Sequence, residues 1–235
     1  MTIEVSSLLS LEADLHRFGY VFISRWRCEQ STIDIAQSLG IVVDIHTCLP
    51  GSAIPTVQTL IPRHESESPG NQYSGTFGLA EFPLHTDLAH WAIPPRYFIL
   101  RCRKGSPSVP TYLLHNSALT ATLGNATLRR ALVRPRHPSR SGVNCLLPLV
   151  LSADDHLSLR WDSLFLVPMN EAARRAAEAM KTNAWDESKL AAVTLTSPGD
   201  TLIVDNWRML HGRGGVREDD MDRRVERVYL SEIHI

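Results

Sequence analysis

In the segment FPLHTDLAH, His85 and Asp87 stand two residues apart. On an extended backbone alternate side chains leave the same face, so an imidazole and a carboxylate at this spacing can converge on one ion. A third donor must then come from elsewhere in the chain. His211 fits by its setting in SPGDTLIVDNWRMLHGRGG, where residues 198–200 read as a turn, 201–205 as a strand, and the His-Gly-Arg tail as a strand end. Two imidazoles and one carboxylate on one side of an octahedron leave three positions open, which is the donor set of iron(II) centres that bind substrate and oxygen side by side. A His-x-Asp pair alone is weak, because it arises by chance in many proteins. The distant His after a strand is what makes His85, Asp87 and His211 metal-ligand candidates.

These side chains need a rigid frame to position them. Leu8, Leu11, Leu15 and Phe18 recur at helical spacing, which predicts a helix over 8–17 capped by Ser6 or Ser7, followed by a strand over 20–24. Ser31 or Thr32 can start a second helix with Ile33, Ala36 and Leu39 on one face, and Gly40 is suited to end it. Short β-like runs follow at 41–45 and 56–61. The stretch RHESESPGNQYSGT, 63–76, is polar and broken by Pro69, Gly70 and Gly75, and it reads as a loop able to act as a lid. Beyond it, β-rich runs at 97–102, 111–115, 146–151, 157–161, 201–205 and 225–233 alternate with turn residues, interrupted by helices at 119–132 and 171–181. Many short strands with flanking helices predict a mainly β protein, a double-stranded β-helix or jelly roll. The expected organisation is one domain, with helical and strand elements over 1–62, the lid over 63–76 and the jelly-roll core over 77–235.

Composition narrows the classes of partner. Among 235 residues, 24 Lys and Arg face 25 Asp and Glu, so the net charge of −1 offers no general attraction for nucleic acid or an anionic membrane. The longest apolar runs fall far short of the roughly 20 residues a membrane-spanning helix needs. Cys28, Cys48, Cys102 and Cys145 are scattered singly, and the opening MTIEVSSLLSLEADLHRF lacks the basic start and apolar stretch of a secretory signal. The expectation is a cytoplasmic protein with reduced thiols, acting on a small molecule.

At this point a resemblance becomes specific. Residues 74–102 (SGTFGLAEFPLHTDLAHWAIPPRYFILRC) and 198–233 resemble the two signature regions of the taurine dioxygenase and clavaminate synthase superfamily of iron(II)/2-oxoglutarate oxygenases. The resemblance implies that His85, Asp87 and His211 hold Fe(II), that 2-oxoglutarate and O2 are consumed, and that succinate and CO2 leave as an unactivated carbon is oxidised. It also implies a Thr about one strand pair beyond the His-x-Asp motif, matched by Thr111, and an Arg beyond the distal His, to hold the far carboxylate of 2-oxoglutarate. An Arg suits that task because its planar fork donates two parallel hydrogen bonds and stays charged when buried.

In DRRVERVYL, strand alternation places Arg223, Val225 and Arg227 on one face, so both arginines can point inward. Members of the superfamily differ in which of the two grips the cosubstrate; Arg227 is preferred here for 2-oxoglutarate, which leaves Arg223 for an acidic group on the substrate. Asp87 stands where halide-installing relatives carry Gly or Ala, which disfavours halogenation. The substrate expected is a small polar molecule such as an amino acid, with Gln72, Ser74 and Asp162 as further binding candidates and Arg160 and Trp161 beside them. Two other readings stay open: a cupin-type metal enzyme that uses no 2-oxoglutarate, and a ligand-binding jelly roll without activity.

Overall fold

The N-terminal helices form where apolar spacing and capping residues place them. In a computed structural model, which describes residues 8–48, 54–137, 145–152 and 157–234, α1 (Leu8–Phe18) buries Leu11 and Leu15. Ser6 and Ser7, expected to cap it, lie outside the described residues. Helix α2 (Thr32–Leu39) starts at Ser31, whose hydroxyl accepts the Asp34 N–H. It ends at Gly40 for a reason other than the expected left-handed cap. The φ of Gly40 is 172°, ordinary extended backbone, but a Cβ there would meet the Glu232 carbonyl oxygen at 1.9 Å. Glycine is needed for the close approach of the neighbouring strand. Short helix α3 (Ile45–Cys48) takes the end of the run expected to be extended over 41–45.

The strands are β1 (Tyr20–Ile23), β2 (Gly40–Val42), β3 (Gln58–Leu60), β4 (Phe82–His85), β5 (Tyr97–Lys104), β6 (Pro110–His115) and β7 (Leu132–Pro135). They continue as β8 (Leu147–Pro148), β9 (Val150–Ser152), β10 (Ser158–Leu159), β11 (Leu166–Pro168), β12 (Leu190–Thr194), β13 (Thr201–Asp205), β14 (Met209–Arg213) and β15 (Arg224–Ile233). A major sheet runs β1-β13-β5-β15-β2, with β3 also paired to β15, and a minor sheet runs β12-β6-β14-β4. Every pairing within them is antiparallel. Phe98, Leu100, Leu202 and Tyr229 from the major sheet meet Leu113 and Met209 from the minor one in a shared core. This is the double-stranded β-helix that the strand pattern predicts.

Apolar layers also cover the outer faces. Leu11, Leu15, Ile35 and Leu39 seat α1 and α2 on Ile99, Ile203 and Val228 of the major sheet. Leu114 and Leu210, the outward neighbours of Leu113 and His211 in the minor sheet, pack with α5 (Ser117–Leu123), α6 (Asn125–Arg130) and α7 (Glu171–Lys181), after α4 (Tyr73–Phe77) in the chain. The single helix expected over 119–132 is two, because Gly124 turns the chain at φ 76°. The run 146–151 is likewise two strands, β8 and β9, which belong to different sheets. The stretch 63–76 is more ordered than a plain loop, with a 3-10 turn at Glu65–Glu67 and the start of α4. Among the described residues no helix is long and apolar enough to cross a membrane.

Candidate metal centre

Strand register brings the two histidines together. His85 ends β4 and His211 lies in the middle of β14, not at a strand end, and the two are direct partners across the antiparallel pair. Gly212 follows His211 because the strands approach so closely there that a Cβ would meet the Phe82 carbonyl oxygen at 2.5 Å. β4 stops at His85, so Asp87 opens a turn and does not continue the strand. One ligand atom from each of His85, Asp87 and His211 lies within 4.8 Å of the others, and all three residues are buried. The Nε2 atoms of His85 and His211 are each 3.7 Å from Asp87 Oδ1. His85 Nδ1 is 2.8 Å from the Pro83 carbonyl oxygen, which leaves Nε2 free to bind a metal.

The backbone at Asp87 is held by force. Leu88 has φ 54°, a left-handed conformation that costs a branched side chain energy, and such strain persists only where the surroundings fix it. Asn206 supplies the fixing. Its Oδ1 accepts the Asp87 N–H at 2.8 Å, and its Nδ2 donates to the Asp87 carbonyl at 3.0 Å and to the Pro95 carbonyl at 2.9 Å. Thr86 is tied in turn to the Trp161 backbone through both its N–H, at 2.7 Å, and its hydroxyl, which accepts the Trp161 N–H at 3.0 Å.

Burial and neighbouring charges set the protonation preference of each donor. Burial alone would raise the pKa of Asp87, yet the Arg227 and His211 charges hold it well below the usual carboxylate value. Burial pushes His211 down to about 4, helped by the neighbouring His85 charge, so this imidazole is neutral as a metal ligand must be. For His85 burial works downward, but the Asp87 hydrogen bond and the Asp162 and Asp87 charges raise it overall.

The two arginines differ in what they touch. Arg227 donates from Nη1 to both Asp87 oxygens, at 2.9 and 2.8 Å, and from Nη2 to Gln58 Oε1 at 2.8 Å. Arg223 lies one residue before β15, not within it, and the register slips between Arg224 and Val225. Its side chain is nonetheless buried, 5% exposed, and among the described residues its guanidinium has no hydrogen bond or ion pair. Burial lowers its pKa. Arg213, also lowered to about 10 by burial and then by the Arg223 charge, is the register partner of Thr111. Thr111 is buried and shares the inward parity of Leu113. Thr111 and Arg223 thus belong to the same end of the barrel.

The remaining candidates divide. Asp162 is 2% exposed beside the cluster, has no ion pair among the described residues, and is held by the Leu164 and Phe165 N–H groups at 2.7 and 2.9 Å. Burial raises its pKa, while the His85 charge works the other way. Gln72 is exposed at the N-cap of α4 and Ser74 is half-buried within it; neither side chain makes a hydrogen bond among the described residues. Arg160 is committed to the scaffold, with its guanidinium donating to the Ala89, Trp91 and Ala92 carbonyls. Two residues that sequence reasoning did not single out matter here: Asn206, and Tyr73, whose ring stacks on His85 at 4.3 Å with its buried hydroxyl beside the Asp162 carboxylate. Nothing local in a polar loop marks Tyr73. The Asn in VDNWRMLH, five residues before His211, was the available signal for Asn206.

The sheets and the buried His-Asp-His cluster define a jelly-roll protein with a candidate metal centre. No protein-family model matches the chain. By sequence it is similar to L-lysine 3-hydroxylase of Catenulispora acidiphila, 24% identical over 74% of this chain and 51% of that protein. It is also similar to clavaminate synthase 2 of Streptomyces clavuligerus, 29% identical over 69% of this chain and 54% of that protein. The matches therefore span about half the length of these curated relatives. The fold matches the structure of asparagine oxygenase in complex with Fe(II), 2S,3S-3-hydroxyasparagine and succinate, with a TM-score of 0.67, 19% identity, and coverage of 94% of this chain and 79% of that one. The chain is thus similar in sequence to clavaminate synthase 2 and to L-lysine 3-hydroxylase, and similar in fold to asparagine oxygenase.

Proposed function

We propose that this chain is a mononuclear non-haem iron(II), 2-oxoglutarate-dependent oxygenase that hydroxylates or desaturates an unactivated carbon of an amino acid, with release of succinate and CO2. The observation that carries the reading is the pairing of a buried His85-Asp87-His211 cluster with a buried guanidinium, Arg223, that makes no hydrogen bond or ion pair among the described residues. Buried charges are ordinarily paired. A dicarboxylate bound at one end by a metal and at the other by Arg223 and Thr111 would pair both.

In this reading His85, Asp87 and His211 hold Fe(II), whose open positions supply, with 2-oxoglutarate and O2, the oxidising power for attack on an unactivated carbon. Arg223 rather than Arg227 takes the far carboxylate, because Arg227 is already engaged by Asp87 and Gln58. Arg227 orients Asp87 and lowers its basicity. It therefore does not by itself call for an acidic group on the substrate, and the amino-acid reading rests instead on the relatives and on Asp162. That buried carboxylate, with the Tyr73 hydroxyl nearby, offers the partner an ammonium group would need. Gln72, exposed, and Ser74, half-buried, would meet a substrate that enters past α4.

We read the 235 residues as one oxygenase unit, with 63–76 closing over the centre and a small molecule as partner. The scattered free cysteines support a reducing compartment, the cytoplasm. The test is an anaerobic titration of metal-free protein with iron(II) and 2-oxoglutarate, following the weak visible charge-transfer band of the chelated keto acid. Its appearance is expected. Its absence with iron bound would favour a cupin-type enzyme without 2-oxoglutarate.

A further inference from the structure

A cavity of about 900 Å³ does not contain the metal donors but lies beside them. Its wall includes His90, three residues beyond Asp87, and Phe165, three beyond Asp162. The Phe165 ring is 6.1 Å from that of Tyr73, which is itself 4.3 Å from His85. One aromatic ring thus separates the cavity from the metal cluster.

The lining is apolar and strongly aromatic: Trp91, Phe165 and Trp207, with Pro94 and Pro95 between them. Ile93, at its edge, is 75% exposed. Ligand sites of roughly 300–1,000 Å³ with such walls and a few polar groups bury molecules of drug size. A small polar amino acid held at Asp162 would leave this space to water against apolar surface, an arrangement that favours filling by an apolar group. Rings on several walls favour an aromatic occupant over an alkyl chain, since edge-to-face and offset contacts add to the area buried. His90 offers a directional contact on this wall. Its ring lies 5.1 Å from Phe165, and its Nδ1 is buried without a hydrogen-bond partner among the described residues.

We infer that this cavity is the specificity subsite of the enzyme, and that the substrate is an aryl-bearing amino acid whose ring sits among Trp91, Phe165 and Trp207 while its reacting carbon faces the metal. The inference rests on the reading of the centre as an amino-acid oxygenase and narrows it. The amino-acid head is held at Asp162, and the ring extends away from Tyr73 toward His90. Small polar amino acids would reach the head site without filling the cavity.

Two titrations with the same ligands separate this inference from the reading beneath it. Metal-free protein is titrated with L-tyrosine, L-phenylalanine, L-lysine and L-asparagine while the fluorescence of its tryptophans is followed at wavelengths where the ligands do not absorb. Iron- and 2-oxoglutarate-loaded protein, kept anaerobic, is titrated in parallel while the visible band is followed. The aryl amino acids are expected to perturb both signals at concentrations about tenfold or more below the polar ones. Phe165→Ala should erase that advantage, and Phe165→Leu, which keeps apolar bulk, should erase most of it. Equal or tighter response to lysine or asparagine, or no response to the aryl pair in either form, would overturn the subsite. If the visible band never forms, the oxygenase reading fails, while the fluorescence titration still reports on the cavity.

Discussion

The metal centre and the aromatic cavity beside it are built by opposite means. The donors His85 and His211 are register partners on paired strands, and their placement follows from backbone hydrogen bonding. The cavity wall runs along an irregular segment, from His90 to Arg96, with no strand partner of its own until β5 begins. Buried side chains do the work that a ladder does elsewhere. Arg160 gathers the carbonyls of Ala89, Trp91 and Ala92, Asn206 takes that of Pro95, and the Trp207 indole donates to that of Pro94 at 3.0 Å. Chemistry is thus set on the rigid part of the fold and specificity on a part whose shape a few side chains can change.

If that division is right, the largest loss comes from the ladder. His211→Ala removes one of three buried donors and is expected to abolish iron binding and turnover together, measured by metal content after anaerobic loading and by succinate release. Turnover that survives would mean the donor set is wrong. A cavity-wall change such as Phe165→Ala should leave the metal content at one iron per chain.

How much of each region could be read beforehand follows the same line. His-x-Asp spacing and strand alternation are local properties, so His85, Asp87 and the inward parity of Arg227 were legible. The strand β14 was only half legible, because His211, Gly212 and Arg213 carry little β-propensity and the strand exists through pairing with β6 and β4. Gly124 and Pro148 divided elements that composition joins, since a hydrophobic run says nothing of where a turn will fall. The stacking of Tyr73 on His85 and the commitment of Arg160 to three carbonyls are products of chain return over many residues. The role proposed for Arg223 likewise depends on Arg227 being engaged by Asp87, a contact that strand alternation alone does not indicate.

A second break separates the two arginines. Arg223→Met should raise the KM for 2-oxoglutarate about 30-fold or more, since losing one partner of a buried, hydrogen-bonded charge pair costs about 2–5 kcal/mol. The KM for the amino acid should move little. Because this guanidinium is buried with no hydrogen bond or ion pair among the described residues, removing it should leave the thermal stability of metal-free protein unchanged or higher. A large rise in the substrate KM instead, with 2-oxoglutarate unaffected, would return Arg223 to the substrate and Arg227 to the cosubstrate.

The sharpest comparison sets Asn206 against Arg160, two buried residues that both act through backbone groups. Asn206 grips the peptide of Asp87, whose neighbour Leu88 is strained, so Asn206→Ala frees the turn that aims a metal ligand. Partners that orient metal ligands typically contribute about 10–100-fold in metal affinity. Asn206→Ala should therefore weaken iron(II) by that order, and Asn206→Asp, which keeps the acceptor for the Asp87 N–H but loses the donor, should recover part of it. Arg160 grips the cavity wall and touches no residue of the donor set. Arg160→Met is expected to leave iron affinity within about twofold, because surface and wall packing changes remote from a site couple weakly to it, while the preference for aryl over polar amino acids is lost. Equal loss of iron in both variants would show that the two regions fold and respond as one unit, and that the separation of chemistry from specificity does not hold in this molecule.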